Sequence, residues 1–318
     1  MPRAIGANRH IHMFPETVYG TAPGGNWRRM PFLSIDLGAE QPLLDADVIG
    51  VGSSRDPAAP FLDTVTVQGQ AVVPVDLVNI GHWLRLLLGP PTISGTSPGF
   101  VHNFGSGAAA LPSNSIEIGY PDVPSYDLCT GVRADTLEID LSPTGPATAT
   151  FGLMGQGSTR GASSAGGTPT SAAYTAFHKA QGAIGRSGAA LAQVTGARLT
   201  YANGMEMVRT IRADRKMEGA DAGIARATGR ITARFADNTL LTQAQDGTSA
   251  SFQFAYTINA NRSLTVTLHE VYLALAKTSI EGPAGVEASF DLRAAFNATA
   301  TRMMTAVLRN QQQASENA

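Results

Sequence analysis

The feature that most constrains this chain is a hairpin written out between Leu137 and Met154, LEIDLSPTGPATATFGLM. Leu137, Ile139 and Leu141 alternate with Glu138 and Asp140, the period-two pattern of a half-buried strand. Ser142-Pro143-Thr144-Gly145-Pro146 is turn chemistry, and Ala147–Leu153 is a second run of small and β-branched residues. An echo follows 151 positions later: Asp291-Leu292 stands to Asp140-Leu141 as Ala298–Thr301 stands to Ala147–Thr150. Two matches in one register predict an internal duplication, with a second hairpin over Ala288–Met304.

With 318 residues there is room for two domains, each with its own core. Charged residues make up 15%, against about 25% in an ordinary globular chain. Low charge with abundant Gly, Ala and Thr fits a surface largely used in contacts with neighbours, although composition alone favours an ordinary soluble β protein. A net charge of −2 carries no basic footprint for tight, non-specific nucleic-acid binding. Cys129 is the single cysteine, so no intrachain disulfide or cysteine-held metal is available, and its strand-like flanks mark it as a small buried hydrophobe. No apolar run reaches the roughly 18 residues of a membrane helix. The start, MPRAIGANRHIHMF, lacks the apolar core of a signal peptide, so cytoplasmic synthesis without export is expected.

Along the chain, residues 1–30 read as an irregular arm. Phe32–Leu37 and Asp63–Val73 read as strands, with a polar loop around Ser53–Pro60 between them. The period then changes. Val75–Leu88, preceded by Pro74 and stopped by Gly89-Pro90-Pro91, predicts a helix apolar on most sides. A loop over Pro90–Pro112 leads to strands at Ser115–Gly119 and Tyr126–Val132 and then to the hairpin. In the second half, Asn203-Gly204 predicts a turn joining Gly196–Ala202 to Met205–Arg212. Gly229–Phe235 is a strand, Asp237-Asn238 caps a short helix ending near Gly247, and Ser251–Ile258 and Ser263–Leu275 alternate strongly. Gly69 before the first helix aligns with Gly229 before the second. The expected units are 1–158, a Gly/Ser/Ala-rich connection at 159–190, and 191–318 with a frayed polar tail after Leu308.

Sites of chemistry are scarce. Gly95-Thr96-Ser97-Pro98-Gly99 matches the serine-hydrolase pattern, but the residue that should donate its N–H to an oxyanion is proline, so it is a turn. His10 and His12 lie on one face of a strand, yet with no third ligand in the sequence nearby they read as a packing pair. Gly50-Val51-Gly52 and Gly155-Gln156-Gly157 lack the third glycine and the following helix of a dinucleotide site. No enzyme and no cofactor are expected.

The chain resembles the tail tube proteins of long-tailed, non-contractile phages. The resemblance rests on Arg29–Ile49 (RMPFLSIDLGAEQPLLDADVI), Val75–Gly89, Ser115–Ser125 (SIEIGYPDVPS), the run through Gly155-Gln156-Gly157, and Ala197–Thr210 (ARLTYANGMEMVRT). It covers nearly the whole chain. It implies a mainly β fold, a duplicated β-sandwich or barrel domain with a flanking helix in each copy. Rings of such domains would stack into a structural conduit in the virion, assembled in the bacterial cytoplasm. Implied partners are further copies of the chain, a tape measure protein, tail terminator and distal tail proteins, and double-stranded DNA passing without specific binding.

In that family six tube domains close a ring. A chain with two domains is therefore expected as a homotrimer of pseudo-sixfold character; the alternative is a hexamer with one half decorating the outside. The arm 1–30 and the 155–190 stretch should reach neighbouring subunits or the next ring. Alternation turns Glu138 and Asp140 away from the core; Asp291 follows by the repeat, and Glu117 alternates with Ile116 and Ile118. These four are the expected lumen-facing acids, with cross-subunit pairing to Arg or Lys as the alternative. A reading from another class is a carbohydrate-binding β-sandwich module, which would show aromatic clusters on loops.

Overall fold

The computed structural model describes residues 3–46, 48, 56–275, 277 and 285–313. Gly50-Val51-Gly52, the start of the Ser53–Pro60 loop and residues 314–318 of the expected tail lie outside them. The chain is mainly β. It begins with β1 (His10–Pro15), β2 (Arg28–Met30), the split strand β3 (Ser34–Ile35) and β4 (Gly38–Glu40), and a small pair, β5 (Leu43–Leu44) with β6 (Phe61–Leu62). Next come β7 (Thr66–Pro74), α1 (Ile80–Leu88), β8 (Thr92–Ser94), β9 (Phe100–Gly105), β10 (Asn114–Tyr120), the long β11 (Ser125–Leu141), β12 (Thr148–Gly155) and β13 (Gly157–Gly161). β14 (Thr170–Ser171), β15 (Gly182–Arg186) and β16 (Ala189–Ala190) precede β17 (Val194–Ala202), β18 (Glu206–Val208), β19 (Gly219–Asp221) and β20 (Arg226–Arg234). The chain closes with α2 (Thr239–Asp246), β21 (Ala250–Asn259), β22 (Arg262–Leu273), β23 (Glu287–Ala294) and β24 (Met304–Asn310).

One antiparallel layer runs through both halves in the order β3/β4–β7–β12–β11–β17–β20–β23–β22. Its middle joint pairs Thr136–Leu141 of β11 with Ala202–Ala197 of β17. β11 and β22 are long because each serves two layers. The first part of β11 pairs with β10 and β13, and β10 continues to β1 and β2. The first part of β22 pairs with β21 and β24; β21 takes β15, and β24 takes β9 from the other half of the chain. Between the layers lie Leu137, Ile139, Phe151, Leu199, Ile231, Phe290 and the inward face of α1, all buried. Trp83 stacks on Phe151 with ring centroids 5.4 Å apart. Truncating such a side chain to alanine costs about 3–5 kcal/mol.

The helix expected from Val75 starts at Ile80 instead. The Asp76 carboxylate accepts the Ile80 N–H at 2.9 Å and the Asn79 amide at 2.6 Å, so the preceding turn is a bend closed by a side chain. Burial raises the Asp76 pKa, against the hydrogen bonds that lower it. At the other end, Gly89 has φ +93° and Asn203 donates to the Leu87 carbonyl at 2.9 Å and the Ala134 carbonyl at 3.1 Å. That use of Asn203 replaces the hairpin expected at Asn203-Gly204: β17 pairs with β11 and β20, and β18 pairs with β19. α2 forms as expected, with Asp237 accepting the Thr239 N–H at 2.8 Å and Gly247 at φ +62°.

The second hairpin does not form. β23 pairs with β20 and β22, β24 pairs with β22 and β9, and Ala298–Thr301 is a turn. Asp291-Leu292 therefore sits in a strand placed like β12, whereas Asp140-Leu141 ends β11. Gly69 and Gly229 have like surroundings. Gly69 lies opposite Leu153 on β12, and Gly229 lies opposite Leu292 on β23. Each glycine meets the backbone of its other neighbour, Asp36-Leu37 and Arg198-Leu199 respectively. The arm is also more regular than expected, since β1 is an integral strand on β10. The connecting stretch likewise supplies β13 to β11 and β15 to β21.

His82 on α1 has a buried Nε2 without a hydrogen-bond partner, and burial pushes its pKa down to about 3 from an ordinary 6.5. The unfolded chain then binds the proton first. Stability from keeping His82 neutral is complete above pH 6.5 and is lost as the pH falls from there toward 3. His82→Gln should flatten the acid limb of a Tm-against-pH curve; an unaltered slope would remove His82 from the account.

Candidate assembly and lumen surface

The through-running layer has one covered face and one open one. On β11, β17, β20 and β23 the alternation turns Leu137, Ile139, Leu199, Ile231, Phe290 and Leu292 inward. It turns Glu138, Asp140, Arg198, Arg230 and Asp291 outward. Register sets Asp140 opposite Arg198, Arg198 opposite Arg230, and Arg230 opposite Asp291, one charged row across four strands. Glu138 pairs with Arg198, Arg230 Nε donates to Asp291 at 2.7 Å, and Lys179 Nζ donates to Asp140 at 3.0 Å. The hydrogen bond from Arg230 holds the Asp291 carboxyl below its usual range. The two arginine pairs stand largely in solvent, so their effect is on charge pattern rather than stability, whereas the Lys179 side chain is mostly covered.

Three of the four expected acids thus share one open face, and each already has a cationic partner within the chain. The four expected acids therefore do not form one unpaired set on this face. Arg198, Arg226, Arg230, Arg234 and Arg293 stand on this face with Glu138, Asp140, Glu287 and Asp291, a mixed-charge wall. Glu117 is not on it. It is fully buried in the other layer, where β10 is covered on both sides, and accepts hydrogen bonds from Ser164 Oγ and the Ala165 N–H. The basic partners alternate with apolar neighbours in ARLTY and GRITARF as clearly as the acids do, so the same pattern identifies them.

The layer has open edges. Among the described residues β3 and β4 pair only with β7. At the far end, Tyr272 and Leu273 of β22 border an open groove with Ala274, Asp291 and Arg293. Beside β4 the short β5–β6 pair exposes Leu43, Leu44, Phe61 and Leu62. Cys129 is buried, its thiol pushed up to about 11, which is no nucleophile's setting. Gly95–Gly99 forms the turn between β8 and β9, with the Gly99 N–H on the Thr96 carbonyl at 2.9 Å. No helix among the described residues is long and apolar enough to cross a membrane.

A two-layer β protein with one through-running sheet, a charged face and edge strands unpaired among the described residues offers templates on which another chain's strands can pair. The family model described as phage tail tube protein matches residues 6–294, and the chain belongs to that family. Its members are structural phage tail proteins, which makes this chain a virion component. Among curated proteins none matches the sequence.

Proposed function

We propose that this chain is the major tail tube subunit and that three copies close one ring. The observation that carries this reading is the β11–β17 joint. It fuses two four-strand units into a single eight-strand layer whose two ends are unpaired among the described residues. The units correspond as β7 to β20, α1 to α2, β10 to β21, β11 to β22, β12 to β23 and β13 to β24, so the halves are two copies of one tube domain. By this correspondence β3/β4 matches β17, and the joint inside the chain is the template for the joint between chains. Each copy's β22 end meets the next copy's β3/β4 edge, giving three identical closures and twenty-four strands around the ring. The mass of isolated rings and the symmetry of a tube reconstruction test this; six full-length chains per ring would overturn it.

Stacked rings form the conduit, occupied by the tape measure protein during assembly, closed by terminator and distal tail proteins, and traversed by DNA. The exposed apolar β5–β6 pair contacts the next ring. The mixed-charge face lines the lumen, where carboxylates keep the arginines engaged and deny them to phosphate. Replacing Glu138, Asp140 and Asp291 with lysine should leave tubes intact, free Arg198 and Arg230, and make DNA adhere in a salt-dependent way and pass slowly. Ejection at the parental rate would remove this face from the lumen. The sugar-binding alternative is disfavoured by the tryptophans: Trp27 and Trp83 are both buried, so neither offers a stacking platform.

A further inference from the structure

We infer that His10, His12 and Glu117 form a binding site for a divalent transition metal, zinc first among them, that fastens the N-terminal strand to the body. The histidines alone are two ligands of three. Folding supplies the third, because β1 pairs with β10 and sets His12 directly opposite Glu117 and His10 opposite Gly119. One donor atom from each side chain falls within 4.8 Å of the others. His12 Nδ1 lies 3.0 Å and His10 Nε2 3.7 Å from the same carboxylate oxygen, Oε1 of Glu117. A tetrahedral zinc with bonds of about 2.0–2.1 Å spaces its ligand atoms about 3.3 Å apart, between those two values.

Four further features point to a built site. His10 Nε2 is buried and has no hydrogen-bond partner, although it is aimed at the carboxylate. The imidazoles are stacked, ring centroids 4.1 Å apart, an arrangement that presents two nitrogens in one direction. The space is kept by glycine: a Cβ at Gly119 would strike the His10 ring, and one at Gly166 would come 2.6 Å from His12 Nδ1. Glu117 is held in place by Ser164 Oγ, which donates to Oε1 at 2.6 Å, and by the Ala165 N–H, which donates to Oε2 at 2.5 Å, the outer shell that a ligating carboxylate needs. Arg29, the cross-strand neighbour of His12, is solvent-exposed and screened.

Two imidazoles and a carboxylate suit zinc, with cobalt(II) as its spectroscopic stand-in, and are poor for magnesium or calcium. The bound ion would tie β1 to β10 and, through Glu117, to the Ser164–Ala165 turn. The test uses the full-length subunit, stripped with a chelator and held at a concentration where it is unassembled, so the outcome is independent of tube formation. Calorimetric titration with zinc should give one ion per chain and raise Tm, and cobalt should give the visible spectrum of a four-coordinate site. His10→Ala, which removes a side chain without a hydrogen bond at its Nε2, should fold normally and lose at least tenfold in zinc affinity; His178→Ala should change nothing. A wild-type chain that takes up no zinc stoichiometrically, or binding that His10→Ala leaves intact, overturns the site. Should His10→Ala fold poorly, Glu117→Gln and the wild-type cobalt spectrum decide, an absent four-coordinate signature counting against it.

Discussion

A chain carrying Ala39→Pro should fold as the parent does and form no tubes. The reason lies in which way each backbone group of the outer edge points. The Asp36 N–H donates to the Gln70 carbonyl at 3.0 Å, so Asp36–Gln70 is a hydrogen-bonded pair. With Gly38 opposite Gln68 and Glu40 opposite Thr66, the alternation of an antiparallel ladder makes these the bonded pairs. Leu37 and Ala39 then turn their N–H groups outward, toward the strand of a neighbour. Proline at 39 removes an outward donor, places a ring in the path of an approaching strand, and spares the bonds to β7. Circular dichroism and Tm should stay close to parental, while negative-stain microscopy at high concentration should show no rings or tubes. Tubes of normal length would show that β4 is not the closing edge.

The second large effect is expected at Gly229, where valine should abolish soluble folded protein. Gly229 is paired with Leu199 across the ladder, and a Cβ on it would overlap the carbonyl oxygen of Arg198. That neighbour is backbone, held on its other side by β11, and cannot move aside without opening the β11–β17 joint. Overpacking ordinarily costs about 1–3 kcal/mol; a branched side chain driven into a paired strand exceeds that range. Gly69→Val should behave alike, since its Cβ would lie 2.6 Å from the Leu37 Cα. Gly196→Ala is the control: its added carbon meets only the Leu141 carbonyl at 3.9 Å, and the protein should melt as the parent does. Denaturant melts of the three variants check the order. A stable, soluble Gly229→Val chain would mean that β17 and β20 are not held this closely.

The two glycines also show what could be read from the sequence. Each precedes a helix and sits where a Cβ would meet the backbone of a neighbouring strand, so the reason for glycine is local and the same at both. The Asp-Leu and Ala-Thr matches mark nothing equivalent, because small residues recur by composition and Ala298–Thr301 is a turn. Long alternating strands and both helices were legible. β9 and β15 were not, being short runs among glycines whose partners, β24 and β21, are remote in sequence. Asn203-Gly204 misled because a buried side chain there serves the end of α1 instead of a turn. On the open face alternation suffices to place Glu138, Asp140 and Asp291. It fails for Glu117, because Asn114–Gly119 is buried throughout and a strand covered on both sides has no outside.

The interlocking of the two halves bears on how rings nucleate. β9 completes the sheet of the second half, His102 meets Asn310 at 3.0 Å, and Asn310 donates to the Leu77 carbonyl at 2.7 Å. In a ring of three such chains, half of the six joints exist before any encounter. Each body added to an assembly gives up freedom worth about 4–15 kcal/mol, so joining three bodies instead of six removes three of those losses. The rate of ring formation would then climb with a lower power of subunit concentration, and few subunits would be needed in the infected cell before the first ring appears.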